Sequence, residues 1–318
     1  MSLDRVTIIG AGVSGLAAGI HLARQGFEVS LVEARSTLGG CCSTTSVDGF
    51  TFNNGALFVA VPRLLDHAFD RLGLDRELLL PLRRINTPQA TFLPGGTSVI
   101  FGAGRHAHVE GPNGPARTAV LLDEIGQCMA KWSPVLQVFT DEVLTQPLSV
   151  LRVMSRTWRH LPKLRGSLAA ELCRQFSDPE VRAAIAAVTL YTGLPPERTP
   201  VFQIFGFISM LQDGLHLPEG GMGAISGVMH KAFCDLGGKV IAGTRVEKIR
   251  TEGGRVRALV IEGKEEVLTD AVISTASGMA TFADLMDPSA VPSSMKRRVL
   301  PAPLSHQTLC VQLGLAHI

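Results

Sequence analysis

Charge is scarce in this chain of 318 residues: Asp, Glu, Lys and Arg together make up 18%, and 30 basic against 28 acidic residues leave a net charge of +2. Nucleic-acid binding needs a concentrated basic excess, so that class is set aside. Aromatics are also sparse, at 5% with a single tyrosine. The six cysteines (Cys41, Cys42, Cys128, Cys173, Cys234 and Cys310) include no CxxC pair, and no histidines complete a zinc pattern. Adjacent Cys41 and Cys42 are poorly placed to bond each other, so reduced thiols in a cytoplasmic setting are expected. No apolar run reaches the roughly 18 residues that span a bilayer, which leaves surface contact with a membrane as the expectation. Strand-like sequence begins by Arg5, where a signal peptide would still be running. Internal repeats, low-complexity tracts, paired carboxylates, a Ser/His/Asp set and a metal-ligating cluster are all missing.

What is plentiful is apolar: 46% hydrophobic residues and a mean hydropathy of +0.25, ample for the core of one large or two modest domains. Residues 5–9 form a short apolar run ending in glycine, which predicts a buried parallel strand. From Ser14 to Gln25, Leu16, Ala17, Ile20 and Ala23 recur at helical spacing, and Gly26 closes the helix. Residues 28–33 predict the next strand, completing a βαβ unit. The stretch from about 60 to 215 reads as several helices separated by Pro and Gly. Ser177-Asp-Pro-Glu180 has capping-box spacing with proline near the first turn, followed by Val181, Ala184, Ile185 and Val188 at helical spacing. Strand signals return at Val240–Ala242, Val246–Arg250 and Arg255–Ile261, with Gly253-Gly254 as a turn. Ala271–Thr275 reads as a strand leaving toward a ligand.

Gly10-Ala11-Gly12-Val13-Ser14-Gly15 lies between the first strand and the first helix. Such a GxGxxG is weak evidence alone, but an acidic residue also closes the second strand, and each part has a job at a dinucleotide. Gly10 permits the tight turn, Gly12 lets pyrophosphate approach the backbone, and Gly15 lets helix and strand pack closely. The helix N-terminus offers free N–H groups and a positive dipole end to the phosphates. Glu33, 18 residues beyond Gly15, is suited to accept hydrogen bonds from ribose hydroxyls and would repel a 2′-phosphate.

Downstream, Glu33-Ala34-Arg35 leads to Gly39-Gly40, and the stretch from Val6 to Gly40 resembles the extended FAD fingerprint of the flavin amine oxidase superfamily. Val47–Gly55, Pro62–Leu74, Tyr191-Thr-Gly193 with Pro195, Pro196 and Pro200, Gly214–Gly223 and Gly237–Ile249 are similar to segments of phytoene desaturases and carotenoid isomerases. The resemblance implies an α/β fold: a Rossmann-like FAD-binding domain with an inserted helical and mixed-sheet substrate domain. Its parts would be a βαβ unit over 1–75, a mainly helical substrate- or membrane-facing region over 76–225, and a return to the FAD-binding domain over 226–318. The implied cofactor contacts are Gly10, Ala11, Gly12, Ser14 and Gly15 on the first loop and Glu33, Ala34 and Arg35 after the second strand. Gly39 and Gly40 bring the backbone to the cofactor, and Val246 contacts its adenine end. Two positions depart from the family pattern: Cys41 stands where many relatives have Arg, and Asn53-Asn54 where they have Asp.

The resemblance also implies an apolar polyene or lipid-like substrate, handled by hydride transfer between a substrate carbon and flavin N5. Such chemistry needs few acid–base residues; no catalytic residue is assigned, and His216 is the one polar candidate, with a loop-stabilising role preferred. Family members continue past this length, so a missing C-terminal half is expected, and Thr308–Leu315 reads as a terminal apolar strand. Val201–Leu211 is read either as a buried core helix or as a lipid-facing run. Arg152, Arg156 and Arg159 share a helical face near Trp158, with Pro162 ending that helix, and no acidic residue occurs in 143–165; a solvated face and a headgroup-binding face both fit. The alternatives left open are a flavin amine oxidase, a polyene saturase, or a non-catalytic lipid- or prenyl-binding module such as the Rab GDP-dissociation inhibitors. The amine oxidase would be expected to need an aromatic cage, and Tyr191, Trp132 and Trp158 are few for one.

Overall fold

Alternation explains the first element: in the strand Arg5–Ile9, Val6 and Ile8 point to one face and Ile9 to the other, and all three are buried. The same holds for Glu28–Val32, where Val29 and Leu31 share the first face and Val32 the second. A strand buried on both sides belongs in a parallel sheet. In the computed structural model, which describes residues 4–104, 106–146, 149–187, 193–263, 266–302 and 311–315, it lies in one. The order across the sheet is Lys239–Ile241, Glu28–Val32, Arg5–Ile9, Ala271–Ser274, with every neighbouring pair parallel. The register sets Ile9 beside both Val32 and Ser274, so three strand ends open together at one edge.

The helix Val13–Arg24 crosses the first face, burying Gly15, Leu16, Gly19 and Ile20. Beside it runs Gly223–Asp235, whose Phe233 ring occupies the space where a side chain on residue 19 would stand; an added Cβ would lie 2.9 Å from it. On the second face, the antiparallel strands Val246–Glu252 and Arg255–Ile261 contribute Val246, Ile249, Leu259 and Ile261 to a small core with Ile9 and Val32.

The middle of the chain is less helical than its sequence suggests. Gln89–Phe92, Ser98–Phe101 and Ala107–Glu110 form a three-stranded antiparallel sheet, and Leu82–Ile85 pairs with Leu215–Pro218. These strands are four residues each, too short for their alternation to stand out. Around them pack the long helix Gly114–Val138 and the helices Leu168–Gln175, Pro179–Ala186 and Ile204–Asp213, in the largest core of the molecule.

Three local expectations shift. The helix from Pro179 is capped by Asp178, not Ser177: the Asp178 carboxylate accepts the Glu180 and Val181 N–H groups, and proline occupies the first turn directly after it. The basic helix runs Val150–Thr157 and has ended before Pro162, which lies instead in a 3₁₀ turn, Leu161–Leu164. Val201–Leu211 is a core segment: Val201, Ile204, Phe207, Ile208 and Leu211 are fully buried, and Phe202 is its one exposed large apolar side chain. Residues 311–315 have no regular structure; Gln312 donates to the carbonyl of Asn53. Val188, Tyr191, Thr192 and 308–310 lie outside the described residues.

Candidate functional site

The converging strand ends open into a cleft of about 510 Å³. Its floor is the glycine loop. Gly10 adopts φ +98°, and a Cβ there would lie 2.5 Å from the Thr275 hydroxyl, which donates to the Ile9 carbonyl at 2.9 Å. Gly15 is under tighter constraint, since a Cβ on it would meet the Gly10 carbonyl oxygen at 2.0 Å. Loop and helix therefore touch main chain to main chain, which only glycine at both positions allows. The helix starts at Gly12 with no side-chain cap and no acidic residue in its first turn, leaving its leading N–H groups and positive dipole end to an incoming anion.

The second glycine pair closes the cleft from the opposite side. The Gly39 N–H donates to the Ala11 carbonyl at 2.9 Å, and Gly39 bridges in parallel to Gly12. Behind it, Ser226 would stand 2.4 Å from any Cβ at Gly39. The helix Gly223–Asp235 thus holds the glycine pair against the turn Gly10–Gly12.

Glu33 projects from the end of the second strand with its carboxylate fixed by main chain. Oε2 accepts the Ala11 N–H at 2.8 Å and Oε1 the Arg35 N–H at 3.0 Å. Each oxygen keeps a second lone-pair direction, so an oriented acceptor pair remains for a diol. Gly10, Gly12, Ser14, Glu33, Ala34, Gly39, Gly40 and Val246 all line the cleft. Ala11, Gly15 and Arg35 do not: Ala11 is buried and orients Glu33, Gly15 lies under the loop, and Arg35 contributes its N–H to Glu33.

Cys41, the departure from the family pattern after the glycine pair, lines the cleft, as do residues that the sequence motif did not single out: Cys42, Arg245, Thr275, Ala280 and Leu285. Thr275 had a signal, since it ends the apolar run 271–274. Arg245 is next to Val246 but carries no pattern of its own. Cys41 is exposed, whereas Cys42 is half-buried and its thiol is pushed up by burial and by the neighbouring Cys41. The Asn53 side-chain carbonyl accepts the Met222 N–H at 2.9 Å, and the Asn54 amide donates to Ser43 and Thr45, so this pair ties the hairpin Thr44–Asn53 to the loop before Gly223. A hollow of equal volume behind the glycine pair, lined by Ser36, Ser226 and His230, includes neither the helix end nor Glu33.

His216 lies in a strand rather than a loop, outside the cleft. Its main chain exchanges hydrogen bonds with Val59 at 2.7 and 2.9 Å and pairs with Arg84. Burial, and then the charge of Arg84, lower its pKa, and its buried Nδ1 has no partner among the described residues. A neutral ring in a strand fits a structural part. Among the described residues no cluster of three or more His, Cys, Asp or Glu could hold a metal, and no helix is long and apolar enough to cross a membrane.

The geometry thus offers an uncapped helix end, main-chain N–H groups on two loops, an oriented carboxylate and an apolar wall: the donor set of an adenine dinucleotide whose ribose carries no 2′-phosphate. A family model described as flavin containing amine oxidoreductase matches residues 13–303. A zeta-carotene-forming phytoene desaturase from Myxococcus xanthus is 31% identical over 92% of this chain and 57% of its own length. For a phytoene dehydrogenase from Streptomyces griseus the figures are 30%, 86% and 54%, and for a lycopene-forming phytoene desaturase from Pantoea ananas 28%, 98% and 63%. Among solved structures, an oxidoreductase from Methanosarcina mazei superposes with a TM-score of 0.61 at 21% identity, over 93% of this chain and 64% of that one. Putrescine oxidase bound to putrescine gives 0.61 at 20%, over 92% and 62%. The chain spans between about half and two thirds of the length of these proteins.

Proposed function

The chain belongs to the family of flavin containing amine oxidoreductases, in its phytoene desaturase-like branch, with FAD as cofactor, and on that premise we propose that it is an FAD-dependent oxidoreductase acting on an apolar polyene by desaturation or isomerisation. The observation that carries the reading is the cleft in which Glu33, the helix end and the glycine pair meet. A bound flavin would supply the redox chemistry, hydride transfer between a substrate carbon and N5. The protein's own part is to hold and orient. Gly10, Gly12 and Ser14 present main chain to the phosphates, Gly39 and Gly40 bring the backbone close to the flavin side, Glu33 takes the ribose hydroxyls, and Ala34 and Val246 flank the adenine end. The test is purification with FAD, measurement of flavin per chain in the visible spectrum, and anaerobic addition of phytoene in detergent. Stoichiometric flavin, bleached as a product of longer conjugation appears, supports the reading. Bound flavin that amines bleach and polyenes do not would favour an amine oxidase. A folded chain that never retains flavin would leave a lipid-binding module or half of an enzyme.

The same reading includes contact with a membrane surface. The helix Val150–Thr157 turns its apolar residues outward: Val150, Leu151, Met154 and the following Trp158 are 74%, 84%, 47% and 57% exposed. Arg159 stacks over Trp158, Arg156 lies 3.9 Å from Glu142, and Arg152, Lys163 and Arg165 are near in sequence, with no acidic residue in 143–165. An apolar face rimmed by cations matches an anionic bilayer. Trp132, the other tryptophan, is fully buried, so the emission change reports Trp158. Phosphatidylglycerol vesicles are expected to shift it to the blue and phosphatidylcholine vesicles to leave it, with Leu151→Asp abolishing the shift. Equal emission in both would remove the membrane from the proposal.

A further inference from the structure

The cleft has two charged side chains among its lining residues, Glu33 and Arg245. Arg245 is held beside Glu33 by the main chain. The Thr244 N–H donates to the Glu33 carbonyl at 3.0 Å, the Gly243 N–H to the Arg35 carbonyl at 2.9 Å, and the Glu262 N–H to the Arg245 carbonyl at 2.9 Å. Val246, directly after it, is buried in the small core. The backbone at 243–246 is thus stitched to the second strand on one side and to 262 on the other, while the Arg245 side chain remains exposed. Glu33 directs its carboxylate to the Ala11 and Arg35 N–H groups, and no ion pair joins it to Arg245 among the described residues.

Charge balance gives this arrangement a purpose. A nucleoside diphosphate unit brings about two negative charges into the cleft, and a helix end offsets only about half a charge. Glu33 adds a further negative charge, and the position next to the glycine pair is a cysteine, Cys41, not a basic side chain. Without Arg245 the cleft would repel its ligand; with it the side-chain charges of the walls cancel, and a guanidinium presents several donors to phosphate oxygens.

We infer that Arg245 is a cofactor-binding residue: it supplies, from the cleft wall beside Glu33, the positive charge that holds the phosphates of the cofactor's adenosine-diphosphate half. This rests on the reading of the cleft as the FAD site. Among the described residues the guanidinium has no hydrogen-bond or ion-pair partner, so its removal is expected to leave the fold unchanged.

The experiment titrates the whole chain with FAD, ADP and adenosine by calorimetry, as wild type, Arg245→Gln and Arg245→Lys, with thermal melts as the folding control. Arg245→Gln is expected to weaken FAD and ADP about 10- to 100-fold, the ratio that corresponds to one charge-assisted hydrogen bond. Adenosine binding should be unchanged and Arg245→Lys should recover most of the loss, with a shallower salt dependence of ADP binding in the Gln variant. If wild type binds FAD and ADP and the Gln variant binds them equally well, the role of Arg245 is overturned and the cleft reading survives. Equal losses for ADP and adenosine would make Arg245 part of the adenine wall and overturn the phosphate role. If wild type binds none of the three, the cleft reading itself falls, and this inference with it.

Discussion

Around the parallel strands, main-chain bonds join the segments that shape the cleft; between Gln89 and Asp213, main-chain ladders are joined at their centre by a buried side-chain cluster. On the first side, Gly10 N–H reaches Val32, Gly39 N–H reaches Ala11, and Thr244 N–H reaches Glu33. On the second, one buried carboxylate organises the packing. Glu171, 1% exposed, accepts the Trp132 indole N–H at 2.8 Å, Lys131 at 2.6 Å and the Gln175 amide at 3.0 Å. Nearby, Phe207 packs edge-on against Phe101 and Phe176, and the Cys128 thiol is pushed up to about 12 by burial and then by Glu171, which makes it inert. A main-chain site keeps its polar groups free for a ligand; a side-chain core uses them up on itself. The two regions should therefore fail independently.

The largest effect expected lies in the second region. Trp132→Ala empties the centre of the main core and orphans Glu171 from one of its donors, costing about 3–5 kcal/mol. Urea unfolding should record that loss, while the FAD affinity of the folded protein stays within about twofold of wild type, a negligible free-energy difference. A parallel loss of FAD affinity would mean that the helical body props the cleft and that the comparison is wrong.

Gly15→Val reverses the pattern. Its side chain must displace the Gly10 carbonyl, which a Cβ would meet at 2.0 Å, and with it the turn that faces the phosphates. FAD affinity is expected to fall about 100-fold, equivalent to about 2.7 kcal/mol. The near-ultraviolet circular dichroism of buried Trp132 should be retained. Loss of that signal together with flavin binding would show one cooperative unit in place of two.

This difference in construction is also why one region was legible and the other was not. Glycine in the loop, an apolar run before it and Glu33 after it announce themselves in the sequence, because main-chain geometry restricts which residues are allowed. The strands Gln89–Phe92 and Ala107–Glu110 carry no such restriction; they are short, and the first owes its state to its ladder with Ser98–Phe101 and the second to packing against Gly114–Val138. Glu171 reads as one more helical glutamate, and its burial depends on Lys131 and Trp132, some 40 residues away. In the cleft itself, Glu33 was visible from its spacing, whereas Arg245 gains its place from backbone bonds to 33 and 262 that no local pattern records. The motif identifies the half of the site that one βαβ unit builds. The wall beside Glu33 comes from strands more than 200 residues later and is defined by the fold.

The smallest effect sharpens the comparison, because it asks whether side-chain bonding in the helical body can be titrated. Asp178 caps the helix Pro179–Ala186 and receives Arg117, which also bonds Glu180 at 2.7 Å. Burial pushes the Asp178 carboxyl up, but the Arg117 bond and the Glu180 and Val181 N–H groups outweigh it and hold it below the usual carboxylate value. A carboxylate depressed in the folded state stabilises above its unfolded pKa, near 4, and that contribution disappears as pH falls through the lower folded value. Asp178→Asn retains a capping oxygen and loses the charge. It should cost about 1 kcal/mol at neutral pH, and the gap to wild type in urea midpoint should close as pH falls below about 4. A gap that persists into acid would place the contribution in the shape of the cap and leave the Arg117 pair without a measurable share.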